Sequence, residues 1–463
     1  MTARNGLAAG LDRWFELSKR GTNLRTEVIA GATTFMTMAY IVFVNPAILG
    51  KLADSAGRQL SFPALLTSTA LVAAVMTLAM GLLANLPLAL AAGMGLNSVV
   101  AFQLVAASRL TWPQAMGVVV AEGLAVTLLV LSGFRKAVAE AVPLAMKKAI
   151  GIGIGLFLSI IGFVDAGFVS RSSADPVPVA LGTGGHLRGF PIVLFVLTLL
   201  FTGWLVLRNT RGALLIGILA ATAVAVAAKA AWGDAAGFKP WEVVLPRSIF
   251  AAPDFSQLGQ FSFSFVQVMG WGPAGLIVFS LMLSDFFDTV GTVVAVGQEA
   301  KYLDAAGNYP RPQTVLLVDS LAAVAGGAAG ASSATTYIES ASGAAAGGRT
   351  GLTSVVTGLL FAACVFISPL AGVVPPQATG AVLVLVGFFM MREVGSLPWG
   401  DATEAIPAFL VLTVMPFTYS ITNGIGAGFV SLVVLKALSG RSREVHPLMY
   451  LTAAAFLVYF VVA

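Results

Sequence analysis

Charge is scarce in this 463-residue chain: only 10% of its residues are Asp, Glu, Lys or Arg, against 58% that are hydrophobic. Soluble domains carry about 25% charged and about 45–50% apolar residues, so this composition excludes a water-soluble enzyme, a nucleic-acid binder and a disordered scaffold. Cysteine is almost missing. The lone Cys364 rules out a disulfide framework, and His186 and His446 are too few for a zinc-type ligand set, so neither metal nor cofactor is expected. The net charge of +5 carries no nucleic-acid signal, because the basic residues are dispersed through short loops. Glycine and proline, in contrast, are plentiful at 50 and 21; without a soluble core they point to closely packed or broken membrane helices. With a mean hydropathy of +0.91, the chain reads as an all-α polytopic protein of the lipid bilayer.

A membrane helix needs roughly 20 mostly apolar residues. Seven such stretches fall within residues 28–231 and seven more within 273–435, and a further segment, 447–463, is ambiguous. Between them lies a polar, amphipathic connector, 232–272, expected outside the cell. An odd number of spans per half makes the second half enter from the opposite face, an inverted repeat of the 7+7 kind. Positive charge agrees: with segment 1–27 cytoplasmic, 18 of the 26 Lys and Arg residues fall inside, among them Arg4, Arg135 and Lys136, while Arg247 is one of 8 outside. Asp12 and Glu16 in that first segment, and no small-residue cleavage site, argue against a cleaved signal peptide. Leu11, Trp14, Phe15 and Ser18 share a helix face, which fits either a short interfacial helix or a frayed tail.

Ionisable residues within spans are costly and become functional candidates. Here they are Glu122, Asp285, Asp288, Asp319 and Glu339, all acidic. An anion carrier would need compensating positive charge, and no Lys or Arg sits mid-span. Asp285, Asp288, Thr289 and Thr292 recur at i, i+3, i+4 and i+7, forming one polar stripe that should face a cavity or the bundle interior. Two carboxylates one turn apart in a low dielectric do not readily both ionise, which is the chemistry of a proton-coupled carrier. Glu122 and Asp319 read as structural or conformational groups rather than ligand contacts.

Residues 330–343, Gly-Ala-Ser-Ser-Ala-Thr-Thr-Tyr-Ile-Glu-Ser-Ala-Ser-Gly, are too small and polar for an ordinary span. They read as an extended segment followed by a half-helix. In an extended chain Tyr337 and Glu339 project on the same side, an aromatic plate beside a carboxylate that suits a flat heterocycle donating N–H groups. The matching place in the first half, Ala91 to Ser98, again joins a glycine-containing extended stretch to a half-helix, aligning Leu96-Asn97-Ser98 with Ile338-Glu339-Ser340. Paired broken spans at corresponding positions point to a mid-membrane transport site, with half-helix amino ends aimed at the ligand. Asn97 has both a donor and an acceptor for a heterocycle edge.

Other signals are weaker. Gly343 to Thr350 nearly matches a phosphate-binding loop with Arg349 in place of Lys, but no soluble nucleotide domain surrounds it. Thr33, Thr37 and Tyr40 make a polar line on the first span that either borders the cavity or bonds backbone carbonyls. The alternating Gly151, Gly153 and Gly155 fit close helix packing.

Taken together, Thr26 to Pro46, Gly93 to Asn97, Asp285 to Thr292, Thr335 to Ala341 and Gly347 to Gly351 resemble the AzgA-like purine permeases, within the wider nucleobase–ascorbate (xanthine/uracil permease) superfamily. The likeness runs over nearly the whole chain. It implies a 7+7 fold with a core domain from spans 1–4 and 8–11, a gate domain from spans 5–7 and 12–14, and short strands in spans 3 and 10. It further implies a multi-pass protein of the plasma (inner) membrane, possession of a homodimer interface, and cation-coupled uptake of purine bases. By position, Glu339 resembles the span-10 carboxylate that hydrogen-bonds the base, Asp285 the span-8 acidic ligand, Asp288 the neighbouring coupling acid and Asn97 the span-3 polar contact. Uracil-type relatives carry a histidine one turn after the span-8 acid, where this chain has Thr289.

The expected activity is therefore proton-coupled import of hypoxanthine, guanine or adenine, with proton preferred over sodium. Substrate contacts are expected from Glu339, Asp285, Asn97, Tyr337, Gly95 and Thr336. Asp285, Asp288 and Glu339 are expected to couple the proton, and Thr33, Thr37, Thr289 and Thr292 to line the cavity. The rival readings are a uracil or xanthine symporter on the same fold, and an anion exchanger or channel. An enzyme is disfavoured because no nucleophile–base set is visible.

Overall fold

A computed structural model describes residues 10–132, 141–171, 179–182, 185–239, 242–245, 248, 250–302 and 309–462. Arg4, Arg135, Lys136 and Arg247, used in the charge count, lie outside these residues. Among the described residues, eleven helical stretches are long and apolar enough to cross a membrane, and Met94–Ala107, Ala402–Thr418 and Pro447–Val461 are shorter apolar helices.

In the first half, α1 (Leu24–Met38) and α2 (Ile41–Leu49) make the first span, followed by α3 (Phe62–Ala79). Both starts are capped as side-chain chemistry dictates: Asn23 accepts from the Thr26 N–H, and Ser61 from the Ala64 N–H. The third span is broken. It begins as β1 (Leu90–Ala92), turns at Gly93 into α4 (Met94–Ser98), and continues as a wider π-type helix, Val99–Ala107. Next come α5 (Trp112–Ser132), α6 (Leu144–Asp165), a small hairpin of β2 (Val169–Arg171) and β3 (Val179–Leu181), α7 (Phe190–Leu207) and α8 (Ala213–Trp232).

The connector contains a short helix, α9 (Phe265–Met269), and packs onto the bundle: the Ser262 N–H donates to the Pro113 carbonyl and Gly259 to that of Ala328. The second half then repeats the pattern with α10 (Trp271–Ala300), α11 (Pro312–Ala329), β4 (Ala334–Thr336), α12 (Ser340–Ala345) and α13 (Gly351–Cys364). It ends with α14 (Pro376–Met391), α15 (Ala402–Thr418), α16 (Ile421–Leu438) and α17 (Pro447–Val462), the last being the segment left ambiguous by sequence.

Strands β1 and β4 pair antiparallel, Leu90 opposite Thr336 and Ala92 opposite Ala334. Pairing answers the demand that backbone polar groups in a membrane interior be satisfied within the protein. Two packed groups flank the pair: α11 lies on α5 and α13 on α1 and α3, whereas α14 and α15 lie on α6 and α8 on α7. Large apolar side chains such as Leu128, Leu200 and Phe417 stay exposed, as a lipid-facing surface requires. At the amino end the shared face expected for Trp14 and Phe15 splits, because residues 10–15 are helical but turns follow at once. Phe15 buries against Leu352 while Trp14 is 64% exposed.

Candidate functional site

Where β1 crosses β4, a cavity of about 110 Å³ opens between the two packed groups. Its polar wall comes from the broken spans and α10: Gly93 to Leu96, Ser284, Asp288, Thr292 and Thr335 to Glu339. The opposite wall is apolar, built by Ile154 and Leu158 of α6 and Val386, Phe389 and Met390 of α14. Two carboxylates thus face the slot from its polar wall, and no Lys or Arg stands among the described lining residues.

Glu339 is held rather than free. It stands one residue before α12 in helical conformation (φ −59°, ψ −17°), so the strand ends at Thr336. The extended geometry expected for Tyr337 and Glu339 is therefore a turn, because the half-helix starts sooner; both side chains still reach the cavity. The Tyr40 hydroxyl donates to Glu339 Oε1 at 2.6 Å, which fixes the carboxylate at the cavity wall. Thr37 binds Ser342 Oγ at 2.8 Å and reaches the Glu339 carbonyl at 3.4 Å, tying the first span to α12. The approach is close enough that a β-carbon at Gly343 would stand 2.0 Å from Thr34 Oγ1, which is why that helix face carries no side chain. Tyr337 is 5% exposed and anchors its ring by donating its hydroxyl to the Ala92 carbonyl across the strand crossing.

The stripe on α10 divides in two. Ser284, Asp288 and Thr292, four apart, line the cavity, while Asp285 and Thr289 face the other way into the bundle. A set at i, i+3, i+4 and i+7 spans enough of the helix circumference to straddle two environments. Asp288 is exposed to the cavity, whereas Asp285 is fully buried beside Glu122 and Asp319. Expected as a direct substrate contact, Asp285 is not on the cavity wall. Thr289 is not a lining residue either, since its hydroxyl donates to Asp319 Oδ2 at 2.6 Å.

Thr33 and Thr37 are likewise absent from the wall; both bond backbone carbonyls of their own helix, the alternative the sequence left open. Asn97 is buried behind the wall, with neither side-chain polar atom partnered among the described residues. Gly95 and Thr336 do line the cavity, and a β-carbon on Gly95 would stand 2.6 Å from Ile154 Cγ2.

Sequence reasoning missed two contributors. Tyr40 was marked only as part of a polar line, and its spacing from Thr37 was the available signal. Glu27, inside the Thr26 to Pro46 stretch, has no role assigned by sequence: it is fully buried and accepts from the Arg349 N–H at 2.8 Å and from the Thr353 N–H and hydroxyl, joining α1 to the start of α13. No local pattern announces a contact between residues so far apart in the chain. The loop resembling a phosphate site is closed on itself, Arg349 donating to the carbonyls of Ala344 and Gly348.

Comparison with known proteins agrees with this architecture. Residues 25–427 match the Permease family, of the xanthine/uracil permease type. The chain is 39% identical to the adenine permease AdeP of Escherichia coli (strain K12) over 97% of its own length and 96% of the relative's. The chain belongs to the AzgA-like branch of the xanthine/uracil permease family. It is 38% identical to the guanine/hypoxanthine permease PbuO of Bacillus subtilis (strain 168), covering 96% of this chain and 99% of that one. Among solved structures, the transmembrane domain of the cyanobacterial bicarbonate transporter BicA superposes with a TM-score of 0.63 at 16% identity, covering 88% of this chain and 97% of that chain. SLC26A9 superposes at 0.60 and 11% identity, covering 90% and 66%. The fold is accordingly the all-α 7+7 inverted repeat of these transporters, with short strands in the third and tenth spans.

Proposed function

We propose that this chain imports purine nucleobases (hypoxanthine, guanine or adenine) with a proton, across the plasma membrane, by alternating access. Relatives named as adenine and guanine/hypoxanthine permeases over nearly full length support the substrate class. The observation that carries the reading is the pairing of Glu339 and Asp288 on one wall of a slot at the strand crossing.

A purine is flat and presents N–H donors along one edge. Its edge meets carboxylate acceptors, its faces meet Tyr337 and the apolar side chains of α6 and α14, and a carboxylate fixed by Tyr40 is already oriented to receive it. The slot separates spans 1–4 and 8–11 from spans 5–7 and 12–14, which in this reading are core and gate. Segment 1–27 is cytoplasmic and connector 232–272 external. Sliding of the core against the apolar gate wall moves the base from one face of the membrane to the other. A proton bound to the intramembrane acids, of which Asp285, Asp288 and Glu339 are the candidates, lowers the charge that must make this movement.

The anion-exchange reading lacks support on this wall, where negative charge already sits. The test is uptake of labelled hypoxanthine, guanine and adenine in competition with uracil, xanthine and bicarbonate, with and without a protonophore. Purines should compete, and the protonophore should stop accumulation. Glu339→Gln should lower uptake at least about tenfold, the loss of one charge-assisted hydrogen bond. Normal purine accumulation by that variant, or accumulation driven only by sodium, would overturn the proposal.

A further inference from the structure

Behind the cavity, next to β4, a second set of acids stands off the lining wall. Asp285 of α10, Glu122 of α5 and Asp319 of α11 are buried together, their exposures 0%, 0% and 2%. Both oxygens of Asp285 and Oε1 of Glu122 lack a hydrogen-bond partner among the described residues. The groups facing this set are hydroxyls and one N–H: Ser333 to Glu122 Oε2 at 3.2 Å, Thr289 to Asp319 Oδ2, Thr335 to Asp319 Oδ1 and beside Asp285, and the Thr336 N–H to Asp319 Oδ1 at 3.0 Å. Among the described residues no cation joins them. Lys147 of α6 lies over the Phe287 ring, and Asp288 turns toward Glu339 and the cavity.

Three ionised carboxylates buried side by side without a cation are not sustainable, least of all at Asp285, whose oxygens find Glu122 and the Thr335 hydroxyl nearby but no hydrogen bond of good geometry. Nor do three acidic groups converge closely enough, among the described residues, to hold a metal ion. We propose that the transported proton binds here, on the Asp285 and Glu122 carboxyl pair beside Asp319, rather than on the cavity wall. This rests on the proton-coupled reading above and assigns its site.

On loading, a proton from water forms an O–H bond with one carboxylate oxygen; that acid donates to its neighbour, and the set loses one negative charge. On release the O–H bond breaks and the charge returns. Asp319 transmits the change, because it holds the Thr336 N–H and contacts the Thr335 hydroxyl at 3.4 Å, and both threonines line the cavity. Glu122, Asp285 and Asp319 are thus positioning residues with respect to the base, acting on it through β4.

The test uses the full chain in proteoliposomes, comparing wild type with Glu122→Gln and Asp285→Asn. Counterflow of labelled purine with no pH gradient reads binding and movement; uptake under an inward proton gradient reads coupling. Glu122→Gln should keep counterflow within about threefold yet lose gradient-driven accumulation at least tenfold. Infrared difference spectra should carry a protonated-carboxyl stretch in wild type that is lost in Asp285→Asn, whatever solute the protein carries. Full proton-driven accumulation by Glu122→Gln, equal loss of both fluxes in folded protein, or an unaltered stretch in Asp285→Asn would overturn the assignment. Absence of purine flux in wild type would instead overturn the substrate reading, leaving the infrared result to decide the proton site.

Discussion

Removing one oxygen atom probes how the site is preorganised. Tyr40→Phe keeps a fully buried ring in place and deletes the donor that lies 2.6 Å from Glu339 Oε1. A hydrogen bond to a charged group contributes about 1.5–3 kcal/mol. At about 1.4 kcal/mol per tenfold, its loss corresponds to roughly 10- to 100-fold weaker binding. The lower end is expected, because the bond is made before the base arrives, and its loss reaches binding only through the rotamers that a freed Glu339 must then surrender. The effect belongs mainly in KM, since the contact orients the carboxylate before the base binds and not only during movement. Saturation uptake of a purine measures it, with thermal unfolding in detergent as the control for folding. In the Glu339→Gln background, Tyr40→Phe should add little, as two residues acting through one contact are not additive. A folded Tyr40→Phe variant with a KM within twofold of wild type would refute the preorganised carboxylate.

Two further outcomes follow from geometry elsewhere. Gly95→Ala should slow initial uptake roughly tenfold, because its β-carbon meets Ile154 at 2.6 Å and overpacking costs about 1–3 kcal/mol; Ile154→Ala should restore the rate. On the surface, Arg441 bridges Asp401 at 2.7 Å and Glu444, and these hydrogen bonds, with Lys436 also binding Glu444, hold both carboxyl groups down at about 2. Groups lowered by folding stabilise above their ordinary values of 3.8 and 4.5 and lose that contribution as pH falls toward 2. Thermal melting should therefore drop across that window, and Arg441→Ala should flatten the drop.

Much of this architecture is legible in the residues, for a physical reason. The bilayer admits few backbone solutions, so apolar length and the two small-residue breaks mark extended stretches in spans 3 and 10; that they are strands is what the family resemblance implies, and their pairing comes from the structure. The acids were found because a membrane makes each one conspicuous. What could not be read was their direction. Asp285 and Asp288 are one turn apart on the same helix, yet one is buried beside Glu122 and the other lines the cavity. Periodicity assigns a side chain to a helical sector; which neighbour fills that sector is decided by packing between spans, as with Tyr40 on Glu339 or Glu27 under Arg349.

The most direct measurement of the central claim is a cryo-electron microscopy map of the full chain with hypoxanthine bound. The base should lie edge-on to Glu339 with Asp288 nearby and one face against the apolar side chains of α6 and α14. Density for the base anywhere other than this slot, or a Glu339 carboxylate that makes no contact with it, would contradict the account.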